Sequence, residues 1–376
     1  MSKLDVLFQE INKKAKAQVA VKGITRVASE RIPFTSPRAN YILYGGIPRG
    51  RIVEFAGEEG GGKTTTALDI CANAQKLFQE EYDKEFAELS SLEKPTKTEV
   101  DRLNTLKSSG PKKVAYIDHE NTLDEDWAIT LGVDVSNMYI LKPQEETGEE
   151  IFQIILDIIE TGEVGLVVLD SIGVMMSGQE MDKDMSDPVM VGISKALTRF
   201  SKRAVTLCAK YNCTLIGINQ IRDNIGGFGI NTPGGRAWKH HCSVRLIFTK
   251  GSPVDDDGSE VLQKVEDPAG NLVSIRLFKT KISKPNRKNG FYTLNYTRGI
   301  DVIPDTLALA LKYNYAAQSG SWFNFVDPET GEVLTDDKDE EIKIQGKGNV
   351  VAYLREDDIT FQELYDKVSS EVVKIM

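Results

Sequence analysis

The sequence predicts an α/β protein built around a mostly parallel central sheet. Short β-branched-rich apolar runs recur at 51–57 (RIVEFAG), 114–120 (VAYIDHE), 165–171 (GLVVLDS) and 214–220 (TLIGINQ). Helical stretches fall between them, near Thr64–Phe78, Glu149–Thr161 and Val189–Tyr211. Continuous apolar runs alternating with helices mark strands buried on both faces of a sheet. A chain of 376 residues, 40% of them hydrophobic, makes two or three packed units at roughly 100–200 residues per domain.

In chain order, residues 3–18 read as a short helix, with Leu4, Leu7, Phe8 and Ile11 spaced for one apolar face. Little pattern follows, so 1–36 is an N-terminal helix and linker. The core spans 37–300 and contains the four runs above. SVRLIFTKG (243–251), LVSIRLFKTKI (272–282) and GFYTLNYT (290–297) extend its sheet as antiparallel strands. The charged stretch 79–113 interrupts a helix-to-strand connection that normally takes a few residues. Its mixed charges predict a solvated helical hairpin inserted at the surface. Beyond Gly320 the chain turns acidic and turn-rich. Helical spacing then returns at Phe361, Leu364, Tyr365, Val368 and Val372, so 301–376 is expected to form a small α+β C-terminal domain.

Composition excludes several classes. No stretch approaches the ~18–20 apolar residues of a membrane span, and the charged N-terminus lacks the apolar centre of a secretory signal. Cys71, Cys208, Cys213 and Cys242 are scattered without a CxxC pair, as expected of buried thiols in a reducing cytosol. Three histidines make a Cys/His zinc site a poor reading. The net charge of −10 argues against coating nucleic acid by bulk electrostatics. Distribution matters more than the sum. Between Pro268 and Ile300 there is no Asp or Glu, while Arg276, Lys279, Lys281, Lys284, Arg287, Lys288 and Arg298 are basic.

The chemistry starts at Gly57-Glu58-Glu59-Gly60-Gly61-Gly62-Lys63-Thr64, which fits GxxxxGK[ST] between a predicted strand and a predicted helix. Its glycines let backbone N–H groups close on phosphate oxygens, and Lys63 reaches the β- and γ-phosphates. The Thr64 hydroxyl is a ligand for Mg2+. This segment predicts nucleoside triphosphate binding, with ATP and Mg2+ as the cofactors. Asp170 closes the apolar run GLVVLDS, where a carboxylate needs a partner; water on Mg2+ is the partner such a site offers. Glu120 ends VAYIDHE, and from that position either orients an attacking water or serves as a helix cap or ion pair. Gln220 ends TLIGINQ, where its amide could sense a γ-phosphate.

LYGGIPRGRIVEFAGEEGGGKTT, YIDHENTLD, VLDS and above all INQIRDNIGGFGINTPGGRAWKHHCSVRL resemble the RecA family of homologous-recombination ATPases. The resemblance continues through KTKISKP and LKYNYAAQSGSWFNF to GKGNVVAYLREDDITFQELYDKV, and covers about Ile32 to Val373 outside the charged insertion. It implies a RecA-like P-loop core. Lys63, Thr64 and Thr65 would sit at the phosphates, Asp170 behind the metal, and Glu120 on the hydrolytic water. Gln220 would couple the γ-phosphate to the loop after it, while Asp124 and Trp127 would contact adenine. Lys279 and Lys281 match a pair that reaches ATP held by the neighbouring subunit of a filament. The N-terminal helix would dock on that neighbour.

The loop Arg222–Arg236 has a physical case of its own. Gly226, Gly227, Gly229, Gly234 and Gly235 let backbone approach a phosphodiester, Phe228 is its aromatic, and Arg222 and Arg236 flank it. The resemblance adds a first DNA loop at Gly178–Pro188, and Arg203 facing the filament axis. That first loop contains the acidic QEMDKDMSDP, a departure from the family pattern. The expected function is an ATP-dependent recombinase that forms filaments on single-stranded DNA and exchanges strands with a homologous duplex. Single-strand-binding and loading proteins would assist it, in the cytoplasm of a bacterium or a virus-infected bacterial cell. The rivals are a recombination mediator with the same ATPase core and a ring helicase.

Overall fold

The computed structural model describes residues 2–15, 30–178, 193–221, 232–262, 265–335 and 340–374. The chain divides into two units, Met1–Glu30 and Arg31–Met376. In the first, α1 (Lys3–Ala15) starts at a reciprocal cap. The Ser2 amide donates to the Asp5 carboxylate, and the Asp5 amide to the Ser2 hydroxyl. Lys13 and Lys14 close the helix at its negative end. Leu4, Leu7 and Ile11 are exposed.

The second unit begins with a two-stranded ladder, β1 (Arg31–Ile32) against β2 (Ile47–Pro48), which brackets α2 (Pro37–Ile42). Ser36 caps α2 and Pro37 opens it, as the missing proline N–H allows. There follow β3 (Ile52–Gly57), α3 (Lys63–Ser90), α4 (Lys97–Ser109), β4 (Lys113–Asp118), α5 (Glu125–Thr130), β5 (Met138–Leu141), α6 (Gly148–Glu160) and β6 (Val164–Asp170). Next come α7 (Ser194–Tyr211), β7 (Thr214–Gln220), α8 (Gly235–His241), β8 (Val244–Val254), β9 (Gly270–Thr280), β10 (Asn289–Asn295) and β11 (Gly299–Ile300). Among the described residues the sheet has nine strands in the order β11-β10-β9-β8-β3-β7-β6-β4-β5. The strands from β8 to β5 in that order pair in parallel, and β9, β10 and β11 extend them antiparallel.

Alternation along each strand splits the core in two. Leu166 and Val168 join Phe55, Tyr116, Ile216 and the α3 residues Ile70, Cys71 and Phe78. Val167 and Leu169 join Ile117, Leu215, Ile155 and Phe152 of α6, Phe200 of α7 and Trp238 of α8. A period of two on a sheet covered on both faces requires this division. All four cysteines are buried and unpaired. Burial pushes the Cys213 thiol up to about 12, so these are packing residues.

The C-terminal segment holds α9 (Val302–Lys312), a small sheet of β12 (Ala316–Ser319), β13 (Trp322–Phe325) and β14 (Lys343–Gln345), then α10 (Lys347–Glu356) and α11 (Asp358–Val373). Leu309, Phe323, Phe325, Val350, Leu354, Leu364, Val368 and Val372 form its apolar cluster. Arg287 fastens it to the core. Its guanidinium lies 4.4 Å and 3.8 Å from the rings of Tyr41 and Tyr44 and donates to the carbonyls of Val372 and Lys374.

Several elements differ from the sequence reading. The helix read as Thr64–Phe78 runs to Ser90, because no Gly or Pro interrupts it and its later residues are good helix formers. The first arm of the charged hairpin is thus a continuation of α3, and α4 is the second, tied to it by paired Arg102–Glu85 bonds of 2.7 Å. The run 114–120 stops pairing at Asp118, whose carboxylate accepts from the amides of Thr122 and Leu123 and turns the chain. Glu120 therefore lies two residues beyond the strand. The strand β5 and the ladder β1–β2 were not anticipated; both are short, and too few residues alternate to give a pattern. The described part of the helix expected from Val189 begins at Ser194.

Candidate active site

The central strand β3 ends at Gly57, between the ends of β7 and β8. Here the chain turns through Glu58–Gly62 into α3. A Cβ on Gly57 would stand 2.4 Å from the Phe248 carbonyl oxygen, so only glycine fits beside β8. Gly62 caps α3 at φ 92°, in the left-handed region. Lys63 opens the helix and folds back over the loop, its Nζ donating to the carbonyls of Gly57 at 3.0 Å and Glu58 at 2.6 Å. Burial lowers its pKa, while Asp170 and Glu120 act in the opposite sense. Together with the start of α3, the loop forms a cradle of backbone amides suited to an anion. Glu58, Glu59 and Gly60 are exposed around it.

Thr64 turns toward the end of β6, its hydroxyl donating to Asp170 Oδ2 at 2.9 Å. Asp170 is 3% exposed. Burial raises its pKa, with Glu120 and Asp118 adding to the rise and hydrogen bonds from Tyr116 and Thr64 opposing it. Asp118 and Asp170 are register partners on β4 and β6. Glu120 accepts a short hydrogen bond from the Ser171 hydroxyl. Three carboxylates thus gather where the sheet meets the phosphate cradle. Among the described residues no group of three or more His, Cys, Asp or Glu side chains forms a metal cage. A hard cation held between a hydroxyl, one carboxylate and phosphate oxygens needs no such cage, and the all-oxygen donors Thr64 and Asp170 fit Mg2+.

On β7, which lies between β3 and β6, Gln220 is the register partner of Gly57 and is exposed. The amide of Ile221 donates to the Gly57 carbonyl at 3.4 Å. Asp124 caps α5, and the indole N–H of Trp127 in that helix donates to the Thr65 hydroxyl at 3.4 Å. Phosphate loop, Glu120, Asp170, Gln220, Asp124 and Trp127 therefore share one end of the sheet.

Lys279 and Lys281 lie elsewhere. Lys279 pairs with Arg245, which pairs with Glu54, three residues before Gly57 and two strands away from it. At ~3.3 Å per residue and ~4.8 Å per strand, the pair is separated from its own phosphate loop in both directions. The Lys279 ammonium donates to the carbonyls of Lys239 at 2.5 Å and His240 at 2.9 Å, and Lys281 to that of His240 at 2.5 Å. They cap the C-terminus of α8. Burial and then the neighbouring Lys281 lower the pKa of Lys279.

Of the expected DNA-facing residues, Arg222, Gly226, Gly227 and Phe228 lie outside the described residues, as does most of the first loop. Gly234, Gly235 and Arg236 lead into α8, with Arg236 exposed. Arg203, on α7, donates to Gln153 at 2.9 Å. One buried group organises this side. Glu54, 0% exposed, accepts from Trp238 at 2.9 Å, Asn219 at 3.0 Å and Thr232 at 3.4 Å, and pairs with Arg245. Asn219 also donates to the Pro233 carbonyl at 2.9 Å. This network and Tyr116 were missed in the sequence. The one signal was a charged or hydroxyl-bearing residue inside an otherwise apolar run.

Comparison with known proteins agrees with this geometry. The RecA N-terminal domain family matches residues 6–82 and 86–301. Protein RecA of Ruminococcus albus is 28% identical over 351 residues, covering 92% of this chain and 74% of its own. Protein RecA of Clostridioides difficile is 32% identical over 331 residues, covering 87% and 78%. For Protein RecA of Fusobacterium nucleatum the values are 31% over 307 residues, 81% and 70%.

Proposed function

The chain belongs to the RecA family and is, as a member, a DNA-dependent ATPase; we propose that it forms helical filaments on single-stranded DNA and catalyses homologous pairing and strand exchange. The observation that carries this reading is the link between the two loops. Gly57 opens the phosphate loop and faces Gln220 in the ladder, while Asn219 bonds to Pro233 at the far end of the glycine-rich loop. A protein whose grip on DNA follows its nucleotide depends on such a link; one that only stores nucleotide does not.

In this mechanism ATP phosphates enter the amide cradle, and Lys63 exchanges the Gly57 and Glu58 carbonyls for phosphate oxygens. Thr64 and Asp170 would hold Mg2+, which when bound neutralises phosphate charge. Glu120, steadied by Ser171, orients and polarises the attacking water. Trp127 and Asp124 frame the adenine side. Gln220 hydrogen-bonds the γ-phosphate and passes its presence to Arg222, Gly226, Gly227 and Phe228, with Gly234, Gly235, Arg236 and Arg203 completing the DNA contacts. Lys279 and Lys281 reach the ATP of the next subunit, where two cations offset transition-state charge. They leave the C-terminus of α8 to do so, which ties filament assembly to the helix following the DNA loop. A homologous duplex is the second DNA partner, single-strand-binding and loading proteins assist, and the site of action is the cytoplasm of a bacterium or of a virus-infected bacterial cell.

Strand exchange between a single strand and a labelled homologous duplex tests the proposal directly. Exchange that requires ATP supports it. Filament formation and hydrolysis without exchange would favour the mediator reading, to which the acidic first loop is suited. Lys279→Ala with Lys281→Ala should retain nucleotide binding and lose DNA-stimulated hydrolysis by about a thousandfold. Wild-type stimulation in that double variant would refute the cross-subunit role.

A further inference from the structure

Tyr116 opens the segment YIDHENTLD, but none of the site roles above falls to it. It lies on β4, 1% exposed, with its ring in the apolar layer beneath α3. Its hydroxyl donates to Asp170 Oδ2 at 2.8 Å, the oxygen that also takes the Thr64 hydroxyl at 2.9 Å. A phenol O–H at such a depth is costly without a partner, whereas phenylalanine would fill nearly the same space at no such cost. The hydroxyl therefore has a local task, and its partner is Asp170.

That carboxylate ends β6 beside Asp118 and close to Glu120. Each of the three is held by its own donors. Asp118 takes the amides of Thr122 and Leu123, Glu120 takes Ser171, and Asp170 takes Thr64 and Tyr116. Two donors converging on one oxygen fix the rotation of the Asp170 carboxylate about its Cβ–Cγ bond. One of them, Thr64, sits on the phosphate loop. The other, Tyr116, is anchored in the sheet.

We propose that Tyr116 is a positioning residue for the metal–nucleotide complex, holding Asp170 in the orientation in which it meets a divalent cation. The proposal rests on the reading of Asp170 as the carboxylate behind the metal. Groups that hydrogen-bond a metal-binding carboxylate typically change metal affinity by about 10–100-fold when removed. Tyr116 touches Asp170 rather than the nucleotide, so its loss acts on the metal requirement and spares metal-independent nucleotide binding.

The test is binding of a fluorescent ATP analogue as a function of MgCl2, for wild type, Tyr116→Phe and Asp170→Asn, with circular dichroism to establish that each is folded. Tyr116→Phe should raise the Mg2+ concentration for half-maximal binding about tenfold, with the weak binding in EDTA unchanged. Asp170→Asn should raise it at least as far. If Asp170→Asn leaves the Mg2+ curve where it was, the metal reading of Asp170 falls, and this proposal with it. If Asp170→Asn shifts the curve and Tyr116→Phe does not, the positioning role alone is overturned. A lower Mg2+ requirement in Tyr116→Phe would overturn it too, since the phenol would then be competing with the cation.

Discussion

Asp69, on the inner face of α3, is a carboxylate only 1% exposed, and burial raises its pKa from 3.8 to about 6. It accepts from the Thr35 amide at 3.1 Å and from Asn73 at 3.1 Å, bonds that offset part of the cost. Because the folded pKa is above the unfolded one, the native state binds more protons between these values, and stability falls as pH rises through them. The penalty is absent below about 4 and complete above about 6. Asp69→Asn keeps an acceptor for Thr35 and carries no charge. Denaturant unfolding of both proteins should show the variant gaining on wild type by up to about 3 kcal/mol across that range. A pH-independent difference would contradict the assignment. No sequence pattern marks Asp69, since it occupies an ordinary helix position. Lys63 and Thr64, by contrast, were legible because their geometry is set by adjacent glycines. Tyr116 and Glu54 were not, since their partners Asp170 and Arg245 lie 54 and 191 residues away along the chain.

Among the elements, the apolar runs were legible as strands because burial on both faces leaves little room for polar residues. Their ends were less so. Where β4 stops depends on Asp118 accepting the amides of Thr122 and Leu123, a local bond that competes with the ladder. The joining of β3, β7, β8 and α8 depends on Glu54 and Arg245. Glu54→Gln would keep a carbonyl for Trp238 and Asn219 and leave the Arg245 guanidinium, itself 5% exposed, without its counter-charge. Breaking a buried pair from one side typically costs about 3–5 kcal/mol. Chemical denaturation should show a loss of that size, and adding Arg245→Met should recover much of it. A loss under about 1 kcal/mol would mean that the network does not hold these elements together.

For the whole molecule, the sheet order decides where chemistry can occur. Parallel strands β3, β4, β6 and β7 bring Gly57, Asp118, Asp170 and Gln220 to one end, the position at which open α/β sheets bind ligands. The antiparallel extension carries Lys279 and Lys281 away from that end, so in the proposed mechanism one chain lacks that pair at its own nucleotide. The proposed mechanism therefore makes activity depend on assembly along DNA. The measurement that tests it most directly is ATP hydrolysis with and without single-stranded DNA, with negative-stain images taken from the same samples. Strong stimulation by DNA together with helical filaments is the expected result. Stimulation without filaments, or filaments whose hydrolysis ignores DNA, would contradict it.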